Sequence, residues 1–305
     1  MRNIKLFLGL FIFCLLISSK SVFAAVPLKV VATQTMYADL VRQIGKDKVD
    51  VKSVATPKFN VHFIQPKPSD VRNVAKADLY VNAGLDLEAW SGPLLEAAGK
   101  VELFHGQGRN LDLSKSIRLL GVPDHAPSRA EGDIHLYGNP HFNMNPENVK
   151  IMAASISQKL KEMDPANSDF YEENRKDFIS KLDQKINEWK TLCAACRGQE
   201  IISYHEDIAY FADFLGLKAE QFLEPKPGIP PTPRHLEFLE NYVREKNIKA
   251  IVLPTYYPKD AAGALSARVG AKVVTICQNL GELPGTEDLF GFFDYNFKQI
   301  SEGLK

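Results

Sequence analysis

Short apolar runs alternate with helix-period segments along most of this chain. Leu28 to Thr33 is a buried-type strand pattern, and a helical pattern from about Tyr37 to Ile44 follows, stopped by Gly45. Val49 to Val54 is the next strand and leads into His62-Phe63-Ile64-Gln65-Pro66-Lys67-Pro68-Ser69-Asp70. Ser69 and Asp70 are placed to cap a helix through Ala75. Ala77 to Val81 is again a strand, Gly84 ends it, and Leu87 to Ala98 is helical. Strands alternating with helices in this way predict an α/β fold with mainly parallel sheets.

The second half repeats the plan. Ile201 to Gly216 has the same length as Val30 to Gly45, and each reads as strand, polar turn, helix and terminal glycine. Pro231-Thr232-Pro233 then echoes Pro66-Lys67-Pro68, and Lys249 to Leu253 echoes Lys76 to Val81. The shared order predicts two lobes of related topology.

Between them lies a long helical region. Asn148 to Met163 forms one helix, and Asp164-Pro165 starts another. From there Tyr171, Phe178, Leu182, Ile186 and Trp189 recur at spacings of seven, four, four and three, with charges on the opposite face. That is one amphipathic helix of about 25 residues, roughly 38 Å long at 1.5 Å per residue. It is expected to run along both lobes as a stiff link and to hold their angle. The expected boundaries are 25–147 for the first lobe, 148–196 for the linking helices and 197–305 for the second lobe.

Three histidines stand at punctuated junctions. His141 lies between Pro140 and Asn145-Pro146-Glu147, which reads as N-cap, first helical position and first-turn acid. His62 follows a strand of the first lobe, and His205 follows the first strand of the second. Ligands of open parallel sheets bind beyond the carboxyl ends of the strands, and in two lobes those ends can face one another across a cleft. Neutral imidazoles converging there would suit zinc. The other histidines read more simply. His105 follows strand-like Val101-Glu102-Leu103-Phe104, His125 lies in a solvated loop, and His235 sits on a helix surface. His135, six residues before His141, is a weaker candidate for assisting metal capture.

Composition narrows the class. Arg2 and Lys5 precede an apolar run from Leu6 to Ile17, and Val22-Phe23-Ala24 fits leader cleavage after Ala24. The run is short for a membrane span, and Phe13 before Cys14 is a poor context for a lipid anchor. A soluble periplasmic protein is expected. Without the leader, 34 basic residues face 37 acidic ones, a net charge of −3, which gives no basic surface for nucleic acid. Cys193-Ala194-Ala195-Cys196 could be a redox pair, half a zinc site or a local disulfide. In an oxidising compartment a disulfide is expected, with Cys277 left over.

The chain resembles the zinc and manganese solute-binding proteins of ABC transporters, the group with a rigid interlobe helix. The resemblance covers nearly all of the mature chain. It is carried by His62 with Gln65-Pro66-Lys67-Pro68-Ser69-Asp70, by Ala77-Asp78-Leu79 through Gly84 and Trp90, by Asn139-Pro140-His141 with Asn145-Pro146-Glu147-Asn148, and by Tyr204-His205 with Tyr210-Phe211. It implies a metal cleft between the lobes with His62, His141 and His205 as ligands. Zn2+ is the expected ion and Mn2+ the alternative, since histidine at the third position resembles the zinc-type members. It further implies a membrane permease as partner and a monomer in solution. The usual fourth ligand, an Asp before a Leu-Gly pair, is replaced by Gln278 in Cys277-Gln278-Asn279-Leu280-Gly281. That leaves Gln278, Glu282 or water for the fourth position. The long His/Asp-rich loop of many zinc members is reduced to Asp124-His125 and Glu131-Gly132-Asp133-Ile134-His135.

An enzyme is the rival class, because three histidines and an open position also describe a catalytic zinc. The sequence carries no HExxH helix, no Gly-x-Ser-x-Gly elbow and no dinucleotide glycine fingerprint. A metal-binding adhesin is a third reading, without an apolar surface motif to support it. The expectation is therefore a binding protein and not an enzyme.

Overall fold

The computed structural model describes residues 26–124 and 135–305; the expected leader and His125 lie outside the described residues. The first lobe runs β1 (Leu28–Ala32), α1 (Thr35–Gly45), β2 (Val49–Ser53), α2 (Pro68–Lys76), β3 (Leu79–Asn82), α3 (Ser91–Ala98) and β4 (Asn110–Asp112). Its sheet has the order β2-β1-β3-β4, parallel throughout. After α4 (Pro146–Met163) and α5 (Ser168–Leu192), the second lobe runs β5 (Glu200–Ser203), α6 (Ala209–Leu215), β6 (Lys218–Phe222), α7 (Pro233–Lys246), β7 (Ala250–Pro254), α8 (Asp260–Val269), β8 (Lys272–Ile276) and α9 (Leu289–Gly303). Its order is β6-β5-β7-β8, again all parallel, so the two lobes share one topology. Helices cover both faces of each sheet, and β3 and β7 are accordingly buried at every residue.

Local chemistry moves several boundaries. Gly45 stays helical at φ −82°, and Lys46 takes the left-handed turn at φ 46°. In α2 the first helical residue is Pro68, and the Asp70 carboxylate accepts from the Lys67 amide at 2.7 Å. α3 begins only at Ser91, because Gly84, Leu85 and Asp86 all adopt positive φ. Gly84 is required there: a Cβ would fall 2.3 Å from Asp112 Oδ1. Val101–Leu103 is a 3-10 turn, not the expected strand end.

All five residues of the apolar stripe of α5 are buried. α5 packs against α1 of the first lobe, α4, and α9 of the second. Asn174 Nδ2 donates to the Ile44 carbonyl at 3.0 Å, and Trp189 Nε1 donates to Asp294 Oδ1 at 2.7 Å. Trp189 also stacks on Phe297 with centroids 5.0 Å apart. One continuous core results. It takes in Val30 and Ala32 of β1, the α5 stripe, and Val252, Phe293 and Phe297 of the second lobe.

The expected Cys193–Cys196 disulfide is not formed in this structure, although the two side chains hydrogen-bond to each other. Cys193 and Cys196 are buried free thiols, as is Cys277. The 3-10 turn Ala194–Cys196 continues the end of α5 and aims Cys193 Sγ at the Phe297 carbonyl, 3.4 Å away.

Candidate metal site

Each junction histidine is fixed by its backbone neighbours. His62 sits in the 3-10 turn Val61–Phe63, where its amide donates to Asn60 Oδ1 at 3.0 Å. Trp90 Nε1 holds the same turn through the Val61 carbonyl at 2.8 Å. The His141 amide donates to Asn139 Oδ1 at 2.9 Å. Asn148 Nδ2 ties the Phe142 carbonyl back to α4, and Asn145 caps that helix. His205 ends the β5 segment in extended conformation and leads into the 3-10 turn Glu206–Ile208. These pins set the backbone before any ligand arrives.

The rings converge. His62 Nε2 and His141 Nε2 lie 3.2 Å apart. The ring of His205 is 5.9 Å from both, edge-on to each. His135 joins them, with its centroid 5.0 Å from His62 and 6.1 Å from His141. Among the described residues the ligand atoms of His62, His135 and His141 all lie within 4.8 Å of one another, and His205 is outside that group. The sequence reading placed His135 lower than this. The usable clue was its six-residue distance from His141 on the same loop. His105 lines a first-lobe cavity with Glu88 and Asp112, and His235 Nε2 is engaged by the Phe222 carbonyl at 2.8 Å.

Electrostatics divide the cluster. Burial pushes His62 down to about 3, helped by His135 and His205. His141 is driven well below the ordinary imidazole range by burial and then by His62, His205 and His135. Burial acts in the same direction on His205. There the Glu224 hydrogen bond and the charges of Asp207, Glu224 and Glu206 outweigh it, and the pKa rises. His205 Nδ1 meets Glu224 Oε2 at 3.0 Å, and the Gly228 amide holds the same oxygen at 3.1 Å. A carboxylate on Nδ1 fixes the tautomer and leaves Nε2 with its lone pair.

Of the two protein candidates for the fourth position, Glu282 has both carboxylate oxygens engaged and Gln278 is held through its amide nitrogen. Gln278 Nε2 donates to the Asp207 carbonyl at 3.4 Å. Glu282 Oε1 accepts from the Gln278 and Asn279 amides at 3.0 and 2.6 Å, and its other oxygen accepts from Thr255. Glu282 thus shapes its own loop. Asp207 is a buried acid beside His205 that sequence reasoning passed over.

Sequence comparison agrees with this architecture. Residues 30–303 match the profile of the zinc-uptake complex component A, periplasmic, family. The high-affinity zinc uptake system protein ZnuA of Bacillus subtilis is 27% identical over 91% of this chain and 86% of that protein. The manganese ABC transporter substrate-binding lipoprotein PsaA of Streptococcus anginosus is 27% identical over 91% of this chain and 89% of its own length. A crystal structure of ZnuA superposes with a TM-score of 0.76 at 22% identity, covering 92% of this chain and all of that one. The manganese-bound periplasmic metal binding protein of Candidatus Liberibacter asiaticus gives 0.75 at 21% identity, covering 90% and 99%. With a profile match over nearly the whole described fold, the chain belongs to the zinc-uptake component A family of metal ABC transporter substrate-binding proteins.

Proposed function

We propose that this protein captures zinc outside the cytoplasm and presents it to the membrane permease of an ABC importer. His62, His141 and His205 are the ligands in this reading, and His135 adds a fourth imidazole. The observation that carries it is the 3.2 Å separation of His62 Nε2 and His141 Nε2. Zinc–nitrogen bonds of about 2.05 Å in a tetrahedron put neighbouring nitrogens about 3.3 Å apart. Two unprotonated nitrogens at that distance repel unless a proton or a metal lies between them. The depressed pKa values keep both rings uncharged, as ligation requires. An all-imidazole donor set favours zinc over manganese, which prefers oxygen. The family consists of transport proteins, and its relatives include both zinc and manganese carriers. No helix among the described residues is long and apolar enough to cross a membrane. Periplasmic release of the mature chain is part of the proposal.

Titration calorimetry of the exported protein tests it. One zinc should bind per chain and displace manganese. His62→Ala, His141→Ala and His205→Ala should each weaken zinc by more than the roughly 10- to 100-fold typical of outer-shell losses. Tighter binding of manganese than zinc would overturn the zinc assignment. Loss of growth confined to metal-starved cells would separate import from adhesion.

A further inference from the structure

Asn139 stands two residues before His141 and is buried, with all of its polar groups engaged. Its Oδ1 accepts from the His141 amide at 2.9 Å, the bond that asparagine side chains make to the backbone two residues on. Its Nδ2 donates to the Glu206 carbonyl at 2.7 Å. A partner at each end fixes which way the amide faces. The backbone is held as firmly. The Asn139 amide donates to the Leu120 carbonyl at 2.8 Å, and its carbonyl accepts from the Tyr210 hydroxyl at 3.1 Å. Glu206 follows His205 directly and opens the 3-10 turn Glu206–Ile208 of the second lobe. One buried side chain therefore ties the His141 backbone to the turn that carries His205. His205 has no comparable tie through its own ring. Its ring partner Glu224 belongs to the second lobe, and its ring centroid stays 5.9 Å from those of His62 and His141.

We propose that Asn139 is the clip that brings His205 into the metal site, a positioning residue that sets where the second-lobe imidazole stands relative to those of the first lobe. The inference rests on the metal-binding reading above. Asn139 acts through its neighbours and not as a donor to the ion, because its oxygen is held by the His141 amide and its nitrogen can only donate. Without the bond to Glu206, a carbonyl would lose its partner and the turn carrying His205 would be placed by second-lobe contacts alone. His62, His135 and His141 would still offer three nitrogens within 4.8 Å of one another. The clip thus decides whether the ion is held by one lobe or by both.

Asn139→Ser separates the two side-chain bonds. A serine hydroxyl can still accept from the amide two residues on, but it is too short to reach the Glu206 carbonyl. Zinc affinity, measured by chelator competition, should fall roughly 10- to 100-fold, as for other outer-shell partners. In a His205→Ala background the same substitution should cost nothing further, since the residue it positions is gone. The visible spectrum of the cobalt-loaded Asn139→Ser protein should become that of cobalt-loaded His205→Ala, with one imidazole fewer. Asn139→Thr carries the same hydroxyl on a stiffer side chain and should repeat these results if the serine variant does not fold. Tyr210→Phe loosens the Asn139 backbone without touching either side-chain bond, so it should lower the metal-free melting temperature and leave the cobalt spectrum parental. Equal affinity losses in the two backgrounds would make Asn139 a general structural residue and overturn the clip. Unaltered zinc affinity, a parental cobalt spectrum in Asn139→Ser, or a shifted one in Tyr210→Phe would overturn it too. If the unsubstituted chain bound no zinc, the proposed function itself would fail; binding in the parent with an unaffected Ser variant removes the clip alone.

Discussion

Of His62, His141 and His205 the last protonates first, because Glu224 raises its pKa while burial lowers those of the other two. A protonated ring cannot ligate, so zinc affinity should fall on acidification from neutral pH with a slope near one proton, not three. Glu224→Gln should move that fall to lower pH and weaken binding at high pH roughly 10- to 100-fold. Calorimetry across pH 5 to 8 reads both. The metal-free fold loses stability in the same direction for another reason. Unfolded His62 takes a proton near 6.5 and folded His62 only near 3, so its contribution is complete above 6.5 and is lost as pH falls toward 3. His135→Ala, which the sequence alone placed near neutrality, should cost zinc affinity about tenfold or more. The junction positions of His62, His141 and His205 were legible because each stands beside capping and turn residues. Asp207 was not, because nothing in Glu206-Asp207-Ile208 says that a carboxylate there will be buried without a partner.

At the scale of elements, the α5 stripe was readable in full because five large apolar side chains keep helical spacing for more than four turns. Trp189 is its anchor, 1% exposed between Asp294, Phe293 and Phe297. Trp189→Ala should destabilise the protein by about 3–5 kcal/mol, seen as a lower denaturation midpoint at unchanged metal stoichiometry. Elements set by tertiary contacts were harder to read. The turn before α3 depends on Asp112 of the adjacent strand β4 lying against Gly84. The cysteine pair showed its spacing but not that both thiols stay free beside each other, with Cys193 Sγ also reaching the Phe297 carbonyl.

Across the whole molecule, the duplicated topology was visible in the order of matched segments, and the structure repeats it strand for strand. The bonds that join the lobes were not visible, since they link residues from 67 to 245 positions apart. Asn279 Nδ2 donates to the Pro57 and Phe59 carbonyls at 3.4 and 3.3 Å, and the Leu280 amide donates to Thr35 Oγ1 at 3.0 Å. Asn139 Nδ2 reaches the Glu206 carbonyl at 2.7 Å beside the cluster itself. With these bonds and the shared core, solution scattering should show almost the same radius of gyration with and without zinc. A clear compaction would refute the stiff linkage.

The continuous core also bears on time. A receptor that opens on a hinge sheds its cargo at the rate of its own opening, whereas this one has no inexpensive open form to visit. Escape of the ion must then proceed by stepwise loss of donors around a standing cage. Residence should lengthen accordingly, and fast unloading becomes work that the importer has to perform on the loops bearing His62, His135 and His205, not on the angle between the lobes.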